Sequence, residues 1–379
     1  MSDSTTTTTT TTHPPVDRQR AKQFMGHLID QLNATAVIHM VSLGNRTGLF
    51  DAMATLAPAS SADIAMAAGL QERYVREWLG AMVTGGVVDY DPEAGTYVLP
   101  PEHAGWLTSA AGPRNLSTMA KMLCSVSQAE PLVAQCFRSG GGVPYSAYPE
   151  FHRLQREASS AVQDATLIGV VLPLAEGVVQ RLEAGIEVAD VGCGAGHAIN
   201  LMAQAFPNSN FVGYDFSEEA VAMGREEAKA MGLSNAHFEA VDAARLEDVA
   251  RFEFITTFDA VHDQARPADM VAAIARALTD DGVWLCVDIA GSGHLHTDKE
   301  LPLGPFFYSV STLHCMTVSL AYDGDGLGAM WGEAKARELF GEAGFSTIDV
   351  HRIPGDSANN YYLCRKPGAP RPAGAASVV

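Results

Sequence analysis

Basic residues are scarce in this sequence: 25 Lys and Arg face 44 Asp and Glu in 379 residues, a formal charge of −19. Phosphate backbones are held mainly by Lys and Arg that displace counterions, so this balance argues against non-specific nucleic-acid binding, and against anionic membranes for the same reason. Cysteine is scarce too. The six, Cys124, Cys136, Cys193, Cys286, Cys315 and Cys364, are scattered without a CxxC pair, which speaks for reduced thiols and against a disulfide framework or zinc knuckle. No apolar run reaches the ~18 residues that span a bilayer; the nearest, 165–175, contains Pro173 and stops at Glu176. The N-terminus lacks the basic start and apolar core of a signal peptide. A soluble, cytoplasmic protein with no membrane partner is the expectation. At 47% apolar residues, the chain exceeds one compact core, so two domains, or one with a large appendage, are expected.

What is present is unevenly distributed. Residues 1–15 include eight consecutive threonines, Thr5 to Thr12, and are expected to be a disordered tail; residues 367–379, rich in Pro, Gly and Ala, are expected to be flexible. Residues 16–114 read as a helical and winged-helix domain. Phe24, Leu28, Leu32, Val37, Ile38 and Val41 fit two amphipathic helices, followed by short helices over 49–56, 61–68 and 72–83. Alternating stretches at 87–90 and 96–99 flank the turn signal Asp91-Pro-Glu-Ala-Gly95, and three short helices with a hairpin spell a winged helix. Residues 115–183 read as a helical linker and substrate lid, broken at Gly140-Gly-Gly-Val-Pro144. Over 184–366, seven short strands (187–191, 210–214, 236–241, 258–261, 283–289, 346–350 and 361–364) alternate with helical segments. That alternation predicts an α/β, doubly wound, largely parallel sheet.

The most specific motif is Val188-Ala-Asp-Val-Gly192-Cys-Gly194-Ala-Gly196-His-Ala, at the end of the first of these strands and opening a helix. Glycines let a ligand approach the backbone, and the helix start offers free N–H groups. A dinucleotide fingerprint would need glycine at 197, where His197 stands. The pattern is instead acid-x-G-x-G-x-G, with Asp190 as the acid. Asp215, in Val212-Gly-Tyr-Asp-Phe216, stands nineteen residues after Gly196, at the next strand end, where ribose hydroxyls are bound in such sheets. Asp242, beside Ala243, ends the third strand and can accept from an adenine amino group. Three acids repel a pyrophosphate but suit ribose, adenine and a cationic sulfonium. On these residues the chain resembles class I S-adenosylmethionine-dependent methyltransferases. The resemblance implies a seven-stranded Rossmann-like sheet on which Asp190, Gly192, Gly194, Gly196, Asp215, Phe216, Asp242 and Ala243 hold S-adenosylmethionine.

After the fourth strand comes His262-Asp263-Gln264-Ala-Arg-Pro267. Neighbours on a strand point to opposite faces, so His262 and Asp263 share a site only if the strand has already ended. About 40 residues separate the fifth strand from the helix near Trp331, far beyond the ~4 to 6 of a usual connection, so a lid or substrate wall is expected there. This segment holds Pro305-Phe-Phe-Tyr308 and Ser311-Thr-Leu-His314-Cys-Met. Two imidazoles and a carboxylate, His262, Asp263 and His314, make a set that binds a transition metal and leaves positions open. An α-keto acid would chelate such a metal, which would ease removal of the C3 proton.

On His262-Asp263 and on His314, 52 residues later, the chain resembles more narrowly the winged-helix, metal-dependent α-keto acid C-methyltransferases of peptide-antibiotic pathways. That resemblance implies iron or zinc on His262, Asp263 and His314 and methylation of the enolate carbon. The segments 262–264, 313–316 and 326–331 also resemble a broader bacterial family. A metal-free O- or N-methyltransferase with a His general base therefore stays open, as does a regulator that keeps the fold. His294 and His296 are a competing HxH pair. Arg138 is the candidate for a substrate carboxylate, with Arg153 and Arg114 as rivals, and Phe307 and Tyr308 favour an apolar substrate side chain. The presumed recognition helix carries Glu72, Arg73, Arg76 and Glu77, and residues 60–100 hold six acids against two arginines. That charge is wrong for a DNA groove. Methyltransferases of this build, which the chain resembles, use the N-terminal domain to form homodimers, and the apolar excess over 17–49 agrees.

Overall fold

The computed structural model describes residues 16–369, in two compact units that divide between Leu107 and Thr108. The tail expectations for 1–15 and 370–379 lie outside the described residues; residues 367–369 complete a turn in which Ala369 N–H donates to Lys366 O.

The first unit opens with α1 (Arg18–Thr47), one continuous helix of 30 residues where two were expected. Nothing in its interior breaks it: Asp17 caps the start by accepting from the N–H groups of Gln19 and Arg20, and Gly48, at φ +69°, supplies the left-handed stop. Helices α2 (Leu49–Ala54), α3 (Ser61–Ala68) and α4 (Glu72–Thr84) follow, then the antiparallel hairpin β1 (Asp89–Asp91) and β2 (Thr96–Val98), and α5 (Pro101–Leu107). Ser60 and Asp63 form a capping box on α3. Phe50, Ile64, Val75, Leu79 and Met82 are buried, and the Trp78 indole N–H donates to Met40 O at 2.8 Å, tying α4 to α1. The expected winged helix is present. The face of α1 bearing Phe24, Met25, Leu28, Ile29 and Leu32 is 48–63% exposed.

The second unit begins with α6 (Leu116–Val126), α7 (Glu130–Ser139), α8 (Phe151–Thr166) and α9 (Val178–Ala184). The expected break lies between α7 and α8. A side chain at Gly142 would stand 1.9 Å from the Thr317 carbonyl, and Val143 N–H donates to that oxygen, so the break packs tightly against the segment it faces. The sheet has the order β5-β4-β3-β6-β7-β9-β8, with β3 (Glu187–Val191), β4 (Asn210–Asp215), β5 (Ala236–Ala240), β6 (Phe252–Phe258), β7 (Leu278–Ile289), β8 (Thr347–His351) and β9 (Asn359–Arg365). Strand β9 runs antiparallel to both its neighbours. Helices α10 (His197–Ala205), α11 (Glu218–Ala230), α12 (Pro267–Ala277) and α16 (Gly332–Glu342) cover the faces. Alternation sends Ala189, Ile255 and Trp284 into one core with Met270 and Phe340, and Val188, Phe254 and Leu285 into the other with Ile199 and Met202.

One strand lies elsewhere than expected: the fourth is Phe252–Phe258, not 258–261. Polar residues disguise it, and each is satisfied inside the core. Thr256 Oγ1 donates to Asp190 at 2.8 Å, and Thr257 Oγ1 accepts from the Trp284 indole at 3.1 Å. The long connection after β7 is itself helical, with α13 (Leu295–Asp298), α14 (Gly304–Val310), a π-helical turn (Ser311–Cys315) and α15 (Met316–Ala321). Among the described residues no single helix is long and apolar enough to cross a membrane.

Candidate active site

The glycine turn joins β3 to α10. Gly192, Gly194 and Gly196 all have positive φ. A Cβ on Gly196 would fall 2.2 Å from the Phe238 ring, so residue size as well as backbone angle demands glycine there. Asp190 is buried below the turn, and burial pushes its carboxyl up to about 7, against the pull of the Thr256 hydroxyl. Asp215, at the end of β4, accepts from Gly194 N–H and Ser217 N–H, both at 2.9 Å. These bonds fix the carboxylate against the turn and leave further lone pairs for a ribose. Phe216 is half-exposed beside it. Asp242 accepts from Ala244 N–H at 3.0 Å and stays open to solvent, with Ala243 buried behind it. The expected cofactor residues thus converge on one edge of the sheet, and their donor set fits a nucleoside carrying a cationic group.

His262 follows β6 after a turn in which Asp259 takes φ +51°. It is 5% exposed, and its Nδ1 lies 2.8 Å from Oδ1 of Asp288, which is fully buried at the end of the neighbouring β7. The same oxygen accepts from Ile289 N–H at 2.8 Å and from the Trp331 indole at 3.1 Å. A carboxylate only accepts, so Nδ1 is the protonated nitrogen and Nε2 carries the lone pair of the neutral ring. Burial works against charge on His262, but Asp288, joined by the Cys315 sulfur that hydrogen-bonds the ring, outweighs it and holds the imidazole well above its ordinary pKa. Asp263 is pushed up to about 6 by burial, with His262 pulling the other way. The segment after His262 is stitched down by Gly328 N–H to His262 O and by Ser319 Oγ to Gln264 O.

His314 sits in the π-helical turn, a local irregularity frequent at functional sites. It is fully buried, and neither ring nitrogen has a hydrogen-bond partner among the described residues. Phe151 stacks on it at 3.6 Å between ring centres, with Tyr148 and Tyr145 edge-on at 4.7 and 5.2 Å. Burial, then the nearby His262 and His152, push its pKa down to about 3, so the ring is neutral. Tyr145 in turn lies 5.4 Å from Phe216, linking this aromatic cluster to the cofactor edge.

Not every expected site residue joins this cluster. Among the described residues, the potential metal-ligand group whose atoms lie within 4.8 Å of one another is Asp259, His262 and Asp288, rather than His262, Asp263 and His314. Arg138 is exposed, donates to Ala134 O on its own helix, and edges an open groove of about 300 Å³ with Val133, Phe137 and Leu313. Arg153 is paired with Glu150. Tyr308 donates to Asp298 at 2.8 Å, and Phe307 lines a small enclosed cavity with Leu301 and Leu303. The wall of His314 comes instead from Tyr145, Tyr148 and Phe151, a run of aromatics after the Gly140 break that sequence reasoning passed over. His294 and His296 are exposed, with ring centres 5.6 Å apart.

Two family models match the chain: one described as an Rv2258c-like winged HTH domain over residues 35–109, and one described as a methyltransferase domain over 182–344. A ubiquinone biosynthesis O-methyltransferase of Leptothrix cholodnii is 30% identical over 137 residues, which cover 33% of this chain and 57% of that protein. Uncharacterized proteins of Rickettsia prowazekii and Synechocystis match at 28% and 29% identity, over 30% and 20% of this chain. The chain spans 19% and 15% of their lengths. Among solved structures, a Nostoc punctiforme protein described as a candidate O-methyltransferase superposes with a TM-score of 0.69 at 18% identity, covering 90% of this chain and 98% of that one. Human N-acetylserotonin methyltransferase, solved with S-adenosylmethionine, superposes with a TM-score of 0.66 at 16% identity, over 94% and 99% of the two chains. These matches do not show the expected likeness to α-keto acid C-methyltransferases, and several of them are described as O-methyltransferases. The chain has the class I methyltransferase fold, in the form that carries an N-terminal winged helix-turn-helix domain.

Proposed function

We propose that the protein transfers the methyl group of S-adenosylmethionine to an oxygen of a small acceptor, with His262 as general base and Asp288 as the residue that orients it. The carrying observation is the 2.8 Å contact between His262 Nδ1 and a fully buried Asp288 carboxylate. It leaves Nε2 as a proton acceptor in a dry site and raises its basicity, as abstraction from a hydroxyl requires. In the step, the acceptor proton passes to Nε2 and an oxygen lone pair forms the new bond to the methyl carbon. The carbon–sulfur electron pair returns to sulfur, which leaves as a neutral thioether. Beyond the proton transfer, the chain's task is alignment, with reacting atoms held about 3 to 3.5 Å apart. Tyr145, Tyr148 and Phe151 favour a flat, apolar acceptor.

A second reading, metal-assisted C-methylation of an α-keto acid, is favoured by one observation: His314 is neutral and buried, with both nitrogens free to ligate. In that case His262 Nε2, Asp263 and His314, which do not stand close enough together here to share an ion, would have to close up to hold the metal, which would supply Lewis acidity toward the keto group. Incubation with carbon-13-methyl S-adenosylmethionine, a panel of phenols and α-keto acids, and a chelator distinguishes the two. A methoxy singlet that survives chelation supports the first reading. A methyl doublet coupled to the C3 proton and abolished by chelation overturns it.

We also infer that the exposed apolar face of α1 is covered by a second copy of the chain. Five large apolar residues within nine positions, all solvent-facing, form a continuous stripe of the kind that marks an interface.

A further inference from the structure

We propose that His197 is a positioning residue of the cofactor site: as an imidazolium clamped between Glu227 and Asp164, it fastens α8 to the helix that the glycine turn opens, and cofactor binding weakens when it loses its proton. This rests on the reading of the glycine turn as an S-adenosylmethionine site. His197 is the first residue of α10, directly after Gly196. Its Nδ1 lies 2.9 Å from Glu227 Oε1 on α11, and its Nε2 lies 3.1 Å from Asp164 Oδ1 on α8. Ionised carboxylates only accept, so making both bonds at once requires a proton on each nitrogen. The ring must therefore be charged, although it sits at the positive end of a helix dipole.

The neighbouring groups support that state. Glu227 also accepts from Arg156 at 2.8 Å and from Asn200 at 3.0 Å. Burial opposes its ionisation, but these bonds and His197 prevail and take its carboxyl down to about 2. Burial likewise works against the charge on His197, and Glu227 and Asp164 overcome it, leaving the imidazole above its ordinary value. The charged groups facing the ring are thus Glu227 from α11 and Asp164 from α8, with Arg156 of α8 on the same Glu227 oxygen as His197.

The clamp matters because α8 reaches the site at its other end. His152, twelve residues before Asp164 and so about 18 Å along the helix, stacks on Tyr145 and acts electrostatically on Asp215, while Phe151 stacks on His314. Deprotonation of His197 removes one of the two bonds and leaves the Arg156–Glu227 pair, so α8 loosens without detaching.

Isothermal titration of S-adenosylmethionine into the full chain, from pH 6 to 9.5, tests this for wild type, His197→Gln and Asp164→Asn. Asp190 titrates in all three, so the ratio of variant to wild-type Kd is the quantity to read. At pH 6 the ratio is expected to be about tenfold, the worth of one charge-assisted bond, falling to about one at pH 9.5. Asp164 is 58% exposed, so its variant carries the test if His197→Gln does not fold. A ratio near one throughout, or one that does not change with pH, overturns the proposal. Absence of binding by wild type at every pH overturns the cofactor reading and this clamp with it.

Discussion

Asp288 receives His262 Nδ1 on an oxygen that also takes the Ile289 N–H and the Trp331 indole N–H, so the carboxylate is fixed from three directions before it fixes the histidine. Three donors on one buried oxygen leave it little freedom to rotate, and the tautomer of His262 follows from it. In Asp288→Asn the amide oxygen stays on the Ile289 and Trp331 N–H groups and still accepts from Nδ1, but the negative charge that makes Nε2 a strong base is gone. Turnover of any acceptor that wild type methylates should fall by about 10²–10⁴-fold, with S-adenosylmethionine affinity nearly unchanged. Steady-state kinetics beside calorimetric titration of the cofactor check this; equal losses in both would refute the assignment.

The same pair sets a pH dependence. Asp288 holds the pKa of His262 above the ordinary value, and a base acts only when deprotonated. The acceptor kcat/KM should therefore climb as pH rises through that elevated value. Replacing Asp288 by Asn removes the charge, so the limb of whatever activity remains should move to lower pH. An unmoved limb would assign the titration to another group.

At the cofactor edge, Gly196→Ala should abolish detectable cofactor binding. The added methyl meets the Phe238 ring and the backbone holds a left-handed angle, a combined cost of about 1–3 kcal/mol in stability as well. Phe238→Leu in the same chain relieves the contact but not the angle, so it should recover part of the stability measured by urea denaturation. Full recovery would mean that the angle costs nothing.

The candidate cofactor edge, as a cluster of residues, was legible because its signals are local: a glycine turn and two strand-end acids lie within about fifty residues, and each announces itself by its neighbours. Asp288 was not. It is 26 residues from His262, at the end of a buried apolar strand where a lone acid has no local pattern. Only the parallel pairing of β6 with β7, Phe258 opposite Val287, brings the two together. The β6 register was misplaced for a related reason: Thr256 and Thr257 read as polar breaks, yet each finds its partner on another strand. The aromatic wall of His314 depends on α8 packing against α6 and α10, and no spacing in the chain encodes that.

His314 should trade stability for function. A buried imidazole without a partner is destabilising, so His314→Leu, similar in volume and apolar, should raise unfolding free energy by about 1–3 kcal/mol. Turnover should fall. Urea titration and activity on the same preparation check both, and elemental analysis before and after substitution tells whether metal leaves with the ring. A destabilised His314→Leu would mean that the ring has a partner in solution.

The exposed stripe on α1 makes a prediction about mass. If Phe24, Leu28 and Leu32 meet their copies in a partner, the chain should run in light scattering at twice its 40.2 kDa. A glutamate in place of Leu28, whose side chain is 48% exposed, costs little in a monomer. In a dimer it buries an unpaired charge at the centre of the contact, where apolar packing carries most of the binding. Leu28→Glu should therefore shift the mass to that of one chain at low micromolar concentration, with the thermal transition of the methyltransferase unit retained. A wild type that is already monomeric at that concentration would leave the stripe to some other partner and overturn the assignment.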